Sequence, residues 1–176
     1  MLVREVREMR KMVKKSLEEA FAGESMAHMK YTIFAEQAEK EGKKNIARLF
    51  KAIAYAEFVH AKNHARNLGY IKSTSENLKT AIEGETFEVE DMYPAYLQLA
   101  RHFGEKGAEN SFHFAIEAEK IHAKMYGDAQ EEASQGKDIK EKDIYICPVC
   151  GYTYMGDEPP EKCPVCNAPR EKFVKF

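Results

Sequence analysis

Two phrases in this chain nearly repeat each other: Ala56-Glu57-Phe58-Val59-His60-Ala61-Lys62 and Ala118-Glu119-Lys120-Ile121-His122-Ala123-Lys124. Each sets a Glu and a His three residues apart, on one side of a helix. Each follows, 33 or 34 residues on, another near-copy: Ala20-Phe21-Ala22-Gly23-Glu24 and Ala81-Ile82-Glu83-Gly84-Glu85. Four helices, four carboxylates and two imidazoles can thereby meet at one point, which is how a helical bundle builds a site for two metal ions.

Apolar spacing of three and four predicts a first helix over about 3–41, through Leu17, Phe21, Met26, Met29, Ile33, Phe34 and Ala38. Its basic, amphipathic start, with Leu2, Val6, Met9 and Val13, reads as the beginning of a packed helix rather than a membrane-surface segment. A second helix is expected over about 44–68, stopped by Gly69. Residues 70–80 lack a clear period and read as a long crossover. Helix returns by Glu85 and runs to Phe103, with Thr86–Val89 strand-like by itself and Pro94 expected to kink it. A fourth helix is expected over about 108–134. Counted back from Gly42, Glu24 lies about 27 Å and Glu57 about 22 Å along antiparallel helices, and Glu85 and Glu119 stand similarly about Gly104. The chain therefore reads as two related helical hairpins.

Burial of several ionised carboxylates without partners costs several kcal/mol each, and cations offset that cost. Glu24, Glu57 and Glu119 sit in apolar sequence surroundings, so that, with Glu85, His60 and His122, a dinuclear centre is the better reading than a solvated face. Carboxylate and imidazole suit iron or manganese, with zinc also open. Glu88, three residues after Glu85, breaks the symmetry, because Ala27 stands at the matching position. A fifth carboxylate favours an oxidised metal pair and hence redox chemistry. Tyr31 and Tyr93, about two turns beyond Glu24 and Glu85, are either core packing or hydrogen-bond donors to ligand carboxylates.

All four cysteines fall in the last thirty residues, in Cys147-Pro148-Val149-Cys150 and Cys163-Pro164-Val165-Cys166. Paired Cys-x-x-Cys knuckles point to one tetrahedral metal, iron or zinc, and a module this small draws much of its folding energy from it. The expected division is 1–138 for the helical domain and 139–176 for the cysteine module. Charges are interleaved, which excludes a nucleic-acid partner. There is no signal-like or membrane-spanning apolar run, so a soluble, cytoplasmic protein is expected.

Together the Ala-Phe-Ala-Gly-Glu-Ser run at 20–25, both Glu-x-x-His phrases, Gly84-Glu85-x-x-Glu88, Met92-Tyr93-Pro94 and the two Cys-Pro-x-Cys knuckles resemble the rubrerythrin family over essentially the whole chain. The resemblance implies a mainly α protein, a ferritin-like four-helix bundle with a long crossover, and a small C-terminal rubredoxin-like module. It also implies three non-haem irons, one di-iron centre and one Fe(Cys)4, the latter on Cys147, Cys150, Cys163 and Cys166. Matched motif to motif, the resemblance implies that Glu24, Glu57 and Glu119 would bind one iron, joined by His60 when reduced and by Glu88 when oxidised. Glu57, Glu85, Glu119 and His122 bind the other, with Glu57 and Glu119 bridging and Tyr31 and Tyr93 supporting them. The implied activity is reduction of hydrogen peroxide to water for oxidative-stress protection. Re-reduction would run through the protein's own cysteine-bound iron, with NAD(P)H-derived electrons from an external donor such as rubredoxin or its reductase. A homodimer is implied, in some members with exchanged helices, so that one subunit's module serves the other's di-iron site. One departure from the family pattern is a second turn, around Gly104–Gly107, that counts about one residue long.

Three rivals predict different behaviour. An iron-storage protein would form a cage. A pure electron carrier would leave the carboxylates unexplained, and a zinc-ribbon adaptor would be colourless.

Overall fold

The computed structural model describes residues 9–176; the part of the expected first helix that precedes them, with Leu2 and Val6, lies outside the described residues. Helix starts at Lys11, after extended backbone at Arg10. The described residues divide into two compact units between Lys72 and Ser73, and each is built on an antiparallel helical hairpin.

In the first unit α1 (Lys11–Lys40) packs along α2 (Lys44–Leu68). Both are rich in Ala and Lys, and α1 also in Glu, all of which form helix well. Small side chains line the seam: Ala35, Ala38, Ala47, Ala54, Ala61 and Ala65 are buried, so the two backbones approach closely. Gly42 ends α1 at φ 75°. The Lys43 N–H then closes onto the Ala38 carbonyl at 2.8 Å, satisfying one of the last orphan acceptors.

The second unit repeats this plan with α3 (Thr74–Phe87), a π turn (Glu88–Met92) and α4 (Tyr93–Phe103) as one rod against α5 (Lys106–Ser134). Gly104 at φ 72° and the 2.9 Å bond from Glu105 N–H to the Ala100 carbonyl reproduce the first turn. Buried Leu97 and Ala100 stand 62 positions after buried Ala35 and Ala38.

Residues 70–80 are not the long crossover that their lack of period implies. The connection is Gly69–Ser73, and 74–80 are helical. Ser73 and Glu76 form a capping box: the Ser73 hydroxyl accepts from the Glu76 N–H, while Glu76 accepts from the Ser73 N–H. The strand-like Thr86–Val89 is helical or π-helical. The extra residue read into the second turn lies elsewhere. Tyr31, Phe34 and Phe50 recur 62 positions later as Tyr93, Tyr96 and Phe112, and Gly42 as Gly104, but Glu24 recurs 61 later as Glu85. The inserted residue is absorbed between Glu85 and Tyr93 by the π turn, where the Tyr93 N–H bonds back five residues to Glu88. Widening the helix there also gives room for the Pro94 ring beside the carbonyl four residues back.

After α5 the chain reaches a three-stranded antiparallel sheet, ordered β2-β1-β3, from β1 (Ile144–Ile146), β2 (Thr153–Met155) and β3 (Val174–Lys175). It lies in the same compact unit as α5. Its core is the cysteine cluster, Cys147, Cys150 and Cys163 with Ala168, and Phe114 of α5 packs against it.

Candidate metal centres

Each hairpin brings one carboxylate–carboxylate–imidazole triad together. In the first, α1 supplies Glu24 and α2 supplies Glu57 and His60, with ligand atoms all within 4.8 Å of one another. The His60 Nδ1 lies 3.0 Å from Glu57 Oε2 and 3.8 Å from Glu24 Oε1. In the second, α3 supplies Glu85 and α5 supplies Glu119 and His122, again within 4.8 Å, and His122 Nδ1 is 2.6 Å from Glu119 Oε2. Two helices per triad are needed because the Glu-x-x-His pair covers one helix face and the third donor must come from the neighbour. Within their own units these groups are half-buried and His60 is exposed, so they are less enclosed than the apolar sequence context implies.

The second triad shows what such a cluster costs. Burial, then a hydrogen bond with Glu119, then the charges of Glu119 and Glu88 push the Glu85 carboxyl up to about 7. Burial and the Glu119 charge also raise Glu88, opposed by His122. Glu88, at the head of the π turn, is outside the close triad but inside its field. Three carboxylates thus share one imidazole, and protons must hold the excess charge where a cation does not. That donor set fits a hard or borderline di- or trivalent metal.

The two tyrosines occupy matching places. Tyr31 packs tilted against Phe34 and Phe50, with centroids 6.3 and 6.2 Å away, and Tyr93 packs edge-on to Tyr96 at 6.4 Å and tilted to Phe112 at 6.0 Å. Both therefore pack. Tyr93 also lies in the field of Glu88, Glu119 and Glu85, which, after burial, raise its phenol. His28 is committed elsewhere, its Nδ1 being 2.7 Å from the Ala54 carbonyl.

In the C-terminal module the sulfurs of Cys147, Cys150, Cys163 and Cys166 lie within 4.8 Å of one another, and none is in a disulfide. The two knuckles are copies. Gly151 N–H bonds to the Cys147 carbonyl and Asn167 N–H to the Cys163 carbonyl, both at 2.9 Å. Cys147 N–H bonds to the Tyr152 carbonyl and Cys163 N–H to that of Ala168. Gly151 and Asn167 both take positive φ, 79° and 61°, as the tight turn requires. Burial pushes the Cys150 and Cys166 thiols up, so a bound cation is what would hold them as thiolates.

One contact of the site has no precursor in the motif reading. His122 Nε2 is 2.7 Å from the Thr153 hydroxyl at the start of β2. Phe114, Ala118 and His122, at i, i+4 and i+8 along α5, form the stripe on which the module sits: Phe114 touches the cysteine core, and Ala118 Cβ lies 3.6 Å from where a Cβ on Gly151 would be. The even spacing was legible; its partner in a remote segment was not.

The carboxylate–imidazole triads and the four-cysteine cluster match a di-iron centre plus an Fe(Cys)4 centre. Comparison with known proteins agrees. A family model described as Rubrerythrin matches residues 15–130, and one described as Rubrerythrin, rubredoxin-like domain matches 145–174. Rubrerythrin-2 of Clostridium acetobutylicum is 49% identical over 91% of this chain and 94% of its own length. Nigerythrin of Nitratidesulfovibrio vulgaris is 37% identical over 92% and 85%. A solved structure of nigerythrin in a mixed-valence state covers 99% of this chain and 92% of its own, with 32% identity and a TM-score of 0.55. With two hairpins carrying matched triads, a cysteine module after them, and family models covering both, the chain belongs to the rubrerythrin family.

Proposed function

We propose that this di-iron oxidative-stress protein is a peroxidase that reduces hydrogen peroxide to water and is re-reduced through its own Fe(Cys)4 centre. The observation that carries the reading is the pairing of two Glu-Glu-His triads with a four-thiol cluster in one chain. Glu24, Glu57, Glu85, Glu119, His60 and His122 would hold the di-iron pair, with Glu57 and Glu119 bridging. Glu88 would replace His60 on oxidation, for which its place in the field of Glu119 and His122 is a support. Cys147, Cys150, Cys163 and Cys166 would hold the third iron. Iron at the paired site would supply the two electrons that reduction of peroxide to two waters requires. Tyr93, kept protonated by burial and by three neighbouring carboxylates, would donate a hydrogen bond or a proton toward them. Tyr31 would do the same in the first hairpin.

Residues 1–138 would form the helical domain and 139–176 the electron-delivering module. The external donor would be rubredoxin or its reductase, fed from NAD(P)H. A cytoplasmic homodimer is the expected form; no helix of the described residues is long and apolar enough to cross a membrane. Anaerobic peroxide titration of the reduced, iron-loaded protein tests the reading. One peroxide should reoxidise each di-iron centre, and protein that stays ferrous after stoichiometric peroxide would refute it.

A further inference from the structure

Thr153 is the one buried polar residue among the described residues, 4% exposed. Its hydroxyl has two partners: it donates to the Gly151 carbonyl at 3.1 Å and faces His122 Nε2 at 2.7 Å. A hydroxyl has one proton. While that proton goes to Gly151, the contact with His122 closes only if Nε2 carries a hydrogen and donates it. In the neutral ring, the form that binds metal, the lone pair is then on Nδ1, the nitrogen that faces Glu119 at 2.6 Å. Two acceptors so close, a carboxylate oxygen and a bare Nδ1, are a place for a cation.

We infer that Thr153, contributed by the cysteine module, is a positioning residue for the helical metal centre: it fixes the ring orientation and the Nε2–H tautomer of His122. The inference rests on the function proposed above. Its consequence is that folding of the cysteine knuckle and affinity of the bundle site are linked. Gly151, which follows Cys150 directly, supplies the carbonyl that orients the Thr153 hydroxyl. Residues that orient a ligating histidine typically contribute 10- to 100-fold in metal affinity.

Thr153→Val keeps the shape and removes the hydroxyl, and Thr153→Ser restores it. Ferrous ion would be titrated into the full-length, anaerobic proteins against a chelator, with the visible absorption of the ferric Fe(Cys)4 centre followed separately. We expect Thr153→Val to bind iron at the bundle site about 10- to 100-fold more weakly, with Thr153→Ser near wild type and the cysteine-centre spectrum equal in all three. Equal bundle affinity in Thr153→Val and wild type overturns the inference and leaves the di-iron reading intact. Wild type that binds no iron in the bundle overturns both. If Thr153→Val disturbs the cysteine spectrum, the decision passes to the diamagnetic zinc-loaded wild-type protein. There a 15N spectrum should show His122 protonated at Nε2 with slowed exchange, and a freely exchanging Nε2 proton would overturn the inference.

Discussion

Glu85, Glu88 and Glu119 stand close enough that each raises the proton affinity of its neighbours, and this fixes how the metal-free protein answers pH. Glu85 titrates near 4.5 when unfolded and is pushed up to about 7 when folded, first by burial and then by Glu119 and Glu88. Between those values the native state binds more protons than the unfolded state, so stability falls as pH rises. Metal-free protein should therefore melt lower at pH 8 than at pH 5, and Glu85→Gln should flatten that slope and raise the Tm at pH 8. A slope unchanged in Glu85→Gln, followed by circular dichroism, would remove Glu85 as its cause. With iron bound the trend should reverse, because metal competes with protons for the same oxygens; iron retained after dialysis should drop as pH falls. Gly151 is a second single-residue test. Its φ of 79° is a left-handed backbone that other residues rarely adopt, while a Cβ placed there would meet Ala118 at 3.6 Å in ordinary contact. Gly151→Ala should cost about 1–2 kcal/mol from the left-handed backbone alone, read as a lower temperature for loss of the Fe(Cys)4 absorption.

The first turn of α3 is capped by one pair of side chains, Ser73 and Glu76. Ser73→Ala removes the hydroxyl that accepts from the Glu76 N–H, leaves the backbone half of the capping box in place, and should cost about 1 kcal/mol in urea denaturation, with helical signal before the transition unchanged. That box was legible as Ser73-Thr74-Ser75-Glu76, yet a missing apolar period over 70–80 outweighed it, and the segment reads as loop. Periodicity reports a buried face, and no residue of α3 is fully buried, so the signal was weak for a physical reason. The π turn was legible too, as the one-residue discord between Glu24–Tyr31 and Glu85–Tyr93. Counting alone places an insertion anywhere between two landmarks; the helix absorbs it where Pro94 already weakens the ladder. The triads and the knuckles were fully visible, since their spacing is the geometry. The His122–Thr153 contact was hidden because it joins segments with no shared period. At the level of the module, the cysteines are themselves most of the core. Stripping the metal should free the amides of β1, β2 and β3 to exchange while α1 and α2 stay protected, as hydrogen exchange by mass spectrometry would show.

For the whole molecule, the decisive length is the connection between units. A ferritin-like bundle has one crossover that runs its length. From Leu68 to Thr74 the chain spans at most about 22 Å at 3.3–3.6 Å per residue, whereas α2, with 25 residues, is about 37 Å long at 1.5 Å per residue. That connection is far shorter than a crossover as long as the helices it would run beside. Each hairpin also leaves large apolar side chains exposed within its own unit: Phe34, Ile53 and Phe58 in one, Phe87, Leu99 and Phe103 in the other. We therefore expect a homodimer in which each di-iron centre takes the triad Glu24-Glu57-His60 from one copy and Glu85-Glu119-His122 from the other. Two variants separate this from a bundle closed within one chain. Glu57→Ala spoils the first triad and Glu119→Ala the second, and each alone should fail to load the pair. When the two chains are co-expressed with different tags and the mixed dimer is purified, exchange leaves one centre with both triads intact and the other with neither. The mixed dimer should then hold half the wild-type complement of bundle iron and show half its peroxide-dependent reoxidation. If each chain closes its own bundle, both centres stay damaged and the mixed dimer holds no more bundle iron than the parents. The Fe(Cys)4 absorption, untouched by either substitution, gives the protein concentration against which that half is read.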